Sequence, residues 1–106
     1  MEQENKLVLS IEGKRKYLEK LIGKMIKILH MIEERSDTGI DPGDFIYGQL
    51  IELASANQLF DNELIEIIVK LNVIYLGYKD MEFKAVKKQI FEIKNKINYL
   101  LGGLDK

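Results

Sequence analysis

The chain has 106 residues, 46% of them apolar and 31% charged, with a net charge of −1 and no cysteine. That suffices for one ordinary hydrophobic core but not two, and it excludes a wholly disordered chain. Without a thiol there is neither a disulfide framework nor a thiolate nucleophile or metal site, which fits a reducing cytosol.

Residues 1–16 begin acidic and hold one five-residue apolar stretch, too short for a signal peptide. No apolar run approaches the ~18–20 residues of a membrane span. The expectation is a soluble, cytoplasmic protein. Lysine outnumbers arginine fourteen to two, and Ile and Asn are frequent, as in an AT-rich genome. A low-GC Gram-positive bacterium, or a phage or plasmid of one, fits that bias.

In chain order, residues 1–12 read as a polar N-terminal arm with one apolar patch, Leu7-Val8-Leu9. From about residue 14 to 35 the row Leu18, Ile22, Met25, Leu29, Ile32 steps 4, 3, 4, 3, which predicts an amphipathic helix. Tyr17, Leu21, Ile26 and Ile28 widen its apolar side, and Gly13 and Gly23 weaken it slightly. Residues 36–43 form a connection ending in a helix start: Asp41 as cap, Pro42 in the first position, Asp44 in the first turn. The second helix runs to about Asn57 with Phe45, Ile46, Leu50, Leu53 and Ala54 inward.

Asp61 is expected to cap the third helix and Gly77 to stop it. Ten of its thirteen residues from 64 to 76 are apolar, and Glu63, Glu66 and Lys70 fall on one narrow strip. Such a helix is expected to be wrapped on nearly all sides. Asn72 shares a side with Ile65 and Ile68 and is expected to be buried, fixing the packing register. Asp80 opens a fourth helix with the row Phe83, Val86, Ile90, Ile93, Ile97, Leu100, and Gly102-Gly103 closes it.

Four helices joined by short loops predict an all-α fold, an antiparallel up-down four-helix bundle in which residues 13–106 form a single domain behind the arm. Stripes broader than two in seven disfavour a coiled-coil dimer, so a monomer or a homodimer of bundles is expected.

Charge is segregated. Residues 13–36 carry seven bases against three acids, residues 37–76 seven acids against Lys70 alone, and residues 77–106 seven bases against four acids. One explanation is mutual attraction between basic outer helices and an acidic middle hairpin. The early lysines of helix one and its late Glu33-Glu34 oppose the helix dipole. That marks the basic side of helices one and four, with Lys16, Lys20, Lys24, Lys27, Lys87 and Lys88, as the candidate partner-binding surface.

Catalytic chemistry finds little footing. His30 is the sole histidine, and Ser10, Ser36 and Ser55 sit in no nucleophile elbow. Glu63 and Glu66 lack the Glu-x-x-His pairs of a di-metal bundle. Asp37, Asp41 and Asp44 lack EF-hand spacing and read as turn and cap residues. Gly39, Gly43 and Gly48 make no phosphate loop. No metal or cofactor is expected. Tyr47, Tyr75, Tyr78, Phe45 and Phe60 read as core residues with polar tips, with an aromatic end to the bundle as the other possibility.

Asp41-Pro42-Gly43, then Ile46 and Leu50, then Phe60, Glu63 and Ile65 resemble the pediocin-like bacteriocin immunity proteins across about a third of the chain. The resemblance implies a small cytosolic four-helix bundle that protects its host by recognising a membrane receptor–bacteriocin complex from the cytosolic side. The expected function is a non-catalytic protein-binding module of immunity, inhibitor or regulatory type. Its partner is another protein, membrane-associated in the immunity case, reached by peripheral contact. The rival is a small nucleic-acid-associated bacterial or phage protein using the basic faces of helices one and four, disfavoured by the net charge and the two arginines.

Overall fold

The computed structural model describes residues 10–34 and 41–104. The patch Leu7-Val8-Leu9, the connection residues Ser36, Asp37 and Gly39, and residues 105–106 lie outside that range. Helix α1 (Ile11–Glu33) starts on Ser10, whose hydroxyl accepts the Gly13 backbone N–H at 3.0 Å. An N-cap serine fixes the first turn, so Ile11 and Glu12, read from sequence as the end of the arm, already belong to the helix. Helix α2 (Pro42–Ala56) starts as its residues dictate: Asp41 accepts from the Gly43 N–H at 3.1 Å, and Pro42 occupies the first position.

After α2 a 3-10 turn (Asn57–Phe60) leads into a reversal at Asp61 and Asn62, both left-handed with φ of 51° and 66°. Short polar residues tolerate that region best. Asp61 is therefore used in the reversal and does not cap the next helix. Asn57 supplies the missing partner, its Oδ1 accepting the Leu64 N–H at 3.1 Å while its Nδ2 donates to Asn62 Oδ1 at 2.9 Å. Helix α3 (Ile65–Gly77) stops at Gly77 and passes into a 3-10 turn (Tyr78–Asp80). Asp80 is held in that turn. Helix α4 (Phe83–Leu104) instead opens on the Glu82 carbonyl, which accepts from Ala85 and Val86. It continues through Gly102 and Gly103 to Leu104, so the glycine pair lies inside the last turn and does not end the helix.

Neighbouring helices run antiparallel. Lys24 of α1 meets Glu52 of α2, and Tyr17 meets Phe60 in the turn that follows α2. Tyr47 meets Tyr75 and Asp41 meets Tyr78 across α2 and α3. Glu66 meets Lys96 and Lys70 meets Glu92 across α3 and α4. Since α1 also packs on α4, the four helices occupy the corners of a square with α1 diagonal to α3. The fold is all-α, an antiparallel up-down four-helix bundle.

The core is filled from all four corners, led by Leu18, Met25 and Ile28 of α1, Ile46 and Leu53 of α2, Ile67, Leu71 and Ile74 of α3, and Val86, Ile90, Ile93 and Ile97 of α4. The α4 row is buried as its spacing predicts, Phe83 only partly. On α2, Ala54 is exposed and Gln49 is buried in its stead. The reason is geometric: residues 46, 49 and 53 step 3 and 4, and so share one face.

Helix α3 departs most from expectation. It is not wrapped, because a corner helix touches two neighbours and turns its remaining side outward. Ile65, Val69, Val73 and Leu76 are exposed by 50, 57, 48 and 74%. Asn72 is exposed among them, so it is no buried register pin. Glu66 and Lys70, from the narrow polar strip, lie along the seam with α4. There Lys96 Nζ reaches Glu66 at 3.4 Å and Lys70 Nζ reaches Glu92 at 3.2 Å.

Candidate interaction surface

Lys16, Lys20, Lys24 and Lys27 step 4, 4, 3 along α1 and form one stripe, which runs beside α2. Lys24 Nζ pairs with Glu52 Oε1 at 2.9 Å, and Lys27 Nζ sits 5.0 Å from the centre of the Phe45 ring. Lys16, Lys20 and Lys27 are exposed. Lys87 and Lys88 are exposed on α4, on the other side of α1 from α2, with Lys87 Nζ 5.8 Å from the Phe91 ring centre. The structure thus gathers the four α1 lysines into one stripe and leaves Lys87 and Lys88 on a separate flank. Contacts from Lys24 to Glu52 and from Lys96 to Glu66 join basic outer helices to the acidic hairpin, so part of the segregated charge acts within the bundle.

A different surface stands out on the α2–α3 hairpin. On α3, residues 65, 69, 73 and 76 are spaced 4, 4, 3, opposite the buried 67, 71 and 74. On α2, Tyr47 and Ile51 are exposed by 53 and 51%, a turn apart and away from the core row. Tyr47 leans across to Tyr75, ring centres 5.8 Å apart, and so joins the two stripes into one face. Six large side chains about half exposed, at roughly 150–200 Å² each, present on the order of 500 Å² of apolar surface, the upper end of what a typical monomer shows. Of the nine large apolar side chains exposed among the described residues, six belong to this face.

Both ends of the hairpin are fastened. At one end Tyr78 Oη donates to Asp41 Oδ1 at 3.0 Å, tying the start of α2 to the end of α3. Burial and this hydrogen bond hold the Tyr78 phenol above its ordinary pKa. At the other end Asn57 bridges to Asn62 and Leu64. A face held at both ends is preorganised, which lowers the entropy lost when something binds to it. Acids stand at both of its ends, Asp41, Asp44 and Asp80 beside Lys79 at the Tyr78 end and Asp61 and Glu63 at the other, while Glu52 and Glu66 pair with Lys24 and Lys96 away from the face. A shallow cavity of about 340 Å³ at the Tyr78 end joins Asp41, Asp44, Lys79 and Asp80 to Tyr75 and Leu76.

The aromatic residues do not gather at one end. Phe60 is buried against Tyr17, ring centres 5.4 Å apart, at the opposite end from Tyr47, Tyr75 and Tyr78. Tyr78 is the clearest buried ring with a hydrogen-bonded tip. The Tyr17 hydroxyl and Gln49 Oε1 are buried without a partner, and burial, with the nearby Glu52 charge, pushes the Tyr17 phenol up to about 12. His30 is exposed on α1, its Nδ1 4.0 Å from Glu33. Among the described residues no three His, Asp or Glu side chains converge as metal ligands, and no helix is long and apolar enough to cross a membrane.

Compared with known proteins, the chain matches no family model, no curated protein and no solved structure. The surface described above was missed on sequence because apolar content was equated with burial. The available signal was that α3 is apolar on two opposite sides, whereas a bundle corner buries only one.

Proposed function

We propose that this chain is a non-catalytic protein-binding module of the inhibitor, immunity or regulatory kind, acting in the cytoplasm through the outer face of the α2–α3 hairpin. The carrying observation is that fastened apolar face, Tyr47, Ile51, Ile65, Val69, Val73 and Leu76. Leaving it in water costs solubility, and patches of this size on small proteins commonly mark contact sites. Recognition of a membrane-associated complex from the cytosolic side, as in bacteriocin immunity, is the particular form suggested by the sequence resemblance.

The exposed lysines Lys16, Lys20 and Lys27 are the observation behind a second reading, contact through the basic side of α1. Affinity capture from a low-GC Gram-positive lysate, membranes included, separates the two. We expect one stoichiometric protein, lost with Val69→Lys/Val73→Lys and kept when Lys16, Lys20, Lys24, Lys27, Lys87 and Lys88 are all changed to Glu. The reverse pattern transfers the contact to the lysines. Recovery of nucleic acid that the sixfold variant abolishes establishes the nucleic-acid alternative.

A further inference from the structure

We infer that the hairpin face receives a cationic amphipathic helix of a partner protein, lying along the groove between α2 and α3. The inference rests on the reading of that face as the contact surface and adds the chemistry of the occupant. Two antiparallel helices with adjoining apolar stripes offer the groove into which the ridge of a third helix packs. From Ile65 to Leu76 the α3 stripe covers three turns, about 17 Å at 1.5 Å per residue, which sets the apolar length required of the occupant. Exposed Asn72 lies within the stripe and offers a side-chain amide to fix the register of that helix.

Charge selects the occupant. Asp41, Asp44 and Asp80, against the single Lys79, stand at one end of the face and Asp61 and Glu63 at the other, so a helix with Lys or Arg beside its apolar side meets a net negative charge at both ends. The same acids repel phosphate, which disfavours nucleic acid and an anionic membrane surface at this face. A second copy laid face to face would oppose acidic rim to acidic rim, a like-charge arrangement that costs affinity. The chain's own basic helices α1 and α4 do not fill the groove, since their apolar rows form the core.

The test is an amide NMR titration of the full chain with three 18-residue probes. One is a Leu/Lys peptide with all leucines on one helical face. The second is the same pattern with Glu for Lys, and the third the Leu/Lys composition scrambled to destroy the face. We expect the first probe to bind at least tenfold tighter than either control, with shifts along Tyr47, Ile51, Val69, Val73 and Leu76. Val69→Lys/Val73→Lys should weaken it at least tenfold while the circular dichroism spectrum is unchanged. Equal binding of the Leu/Glu probe at the same residues overturns the cationic occupant and leaves the face as contact surface. Shifts confined to the α1 lysines overturn both. If no probe binds, the occupant is wrong, and sedimentation then shows whether a dimer broken by Val73→Lys holds the face in its place.

Discussion

Helix α3 gives the sharpest test of the structure, because two residues only two positions apart, on opposite sides of the helix, should respond very differently. Leu71 is completely buried, and Val69 is 57% exposed. Truncating Leu71 to Ala removes buried methyl groups and leaves a cavity, which costs about 3 kcal/mol. In a domain of this size each kcal/mol shifts Tm by roughly 4–8 °C, so Leu71→Ala should melt at least about 12 °C below the parent. Val69→Lys forfeits under half of a valine's full burial, roughly 1 kcal/mol at most. Lysine returns a few tenths through its better helix propensity and is attracted by the surrounding acids. The net cost should stay below about 1 kcal/mol, a shift of a few degrees. Thermal melts by circular dichroism, with urea titrations to check an unchanged m-value, decide it. If Val69→Lys falls as far as Leu71→Ala, the face is covered in solution and the reasoning about an exposed contact surface fails.

Other substitutions probe the ends of the hairpin and its buried phenols. Asn57→Ala removes the acceptor of the Leu64 N–H and the tie to Asn62, and should lower the urea-derived stability by about 1–2 kcal/mol. Tyr78→Phe deletes the hydrogen bond to the Asp41 carboxylate. It should cost about 1.5 kcal/mol, with faster amide exchange from Tyr75 to Tyr78 as the local signature. Tyr17→Phe removes a buried hydroxyl without a partner, and at pH 7 should be neutral or stabilising by up to about 1 kcal/mol. The phenol's folded pKa of about 12 lies above its ordinary 10.0. Its contribution is therefore fully present below pH 10 and lost as pH rises toward 12. Melting series from pH 9 to 12 should fall less steeply in Tyr17→Phe, with Tyr78, shifted in the same direction, keeping part of the slope.

What was legible in the sequence was whatever depends on neighbours along the chain. The Asp41-Pro42 start, the Gly77 stop and the 3-4 row of α4 involve residues within a turn or two of each other, and each folds as its spacing dictates. Asp61 failed as a cap for a reason equally local but hidden. A chain reversal competed for the same residue, and the left-handed tolerance of Asp won over its capping preference. Gln49 and Ala54 were exchanged because both fit an inward row on α2, and only the position of α1 and α3 decides which row faces them. The lysine surface was half legible: four lysines share a stripe by helical spacing, but their separation from Lys87 and Lys88 follows from which helices are neighbours in the square.

Charge and apolarity together account for the hairpin in a way that neither does alone. The outer helices α1 and α4 are strongly amphipathic, and their apolar rows end in the core. Helix α3 fills that core with Ile67, Leu71 and Ile74, flanked by Ile68 and Tyr75, yet it carries a second, largely exposed apolar row that adds little inside the chain. In water an alanine, lysine or glutamate at positions 65, 69, 73 and 76 would favour helix at least as well and aid solubility. Surplus apolar side chains on one solvent face, joined to α2 by the Tyr47–Tyr75 contact and bordered by acids, therefore have no physical rationale within the monomer. They acquire one when a surface of opposite charge and matching apolarity covers them, because burial on association then supplies the stabilisation that folding leaves unused.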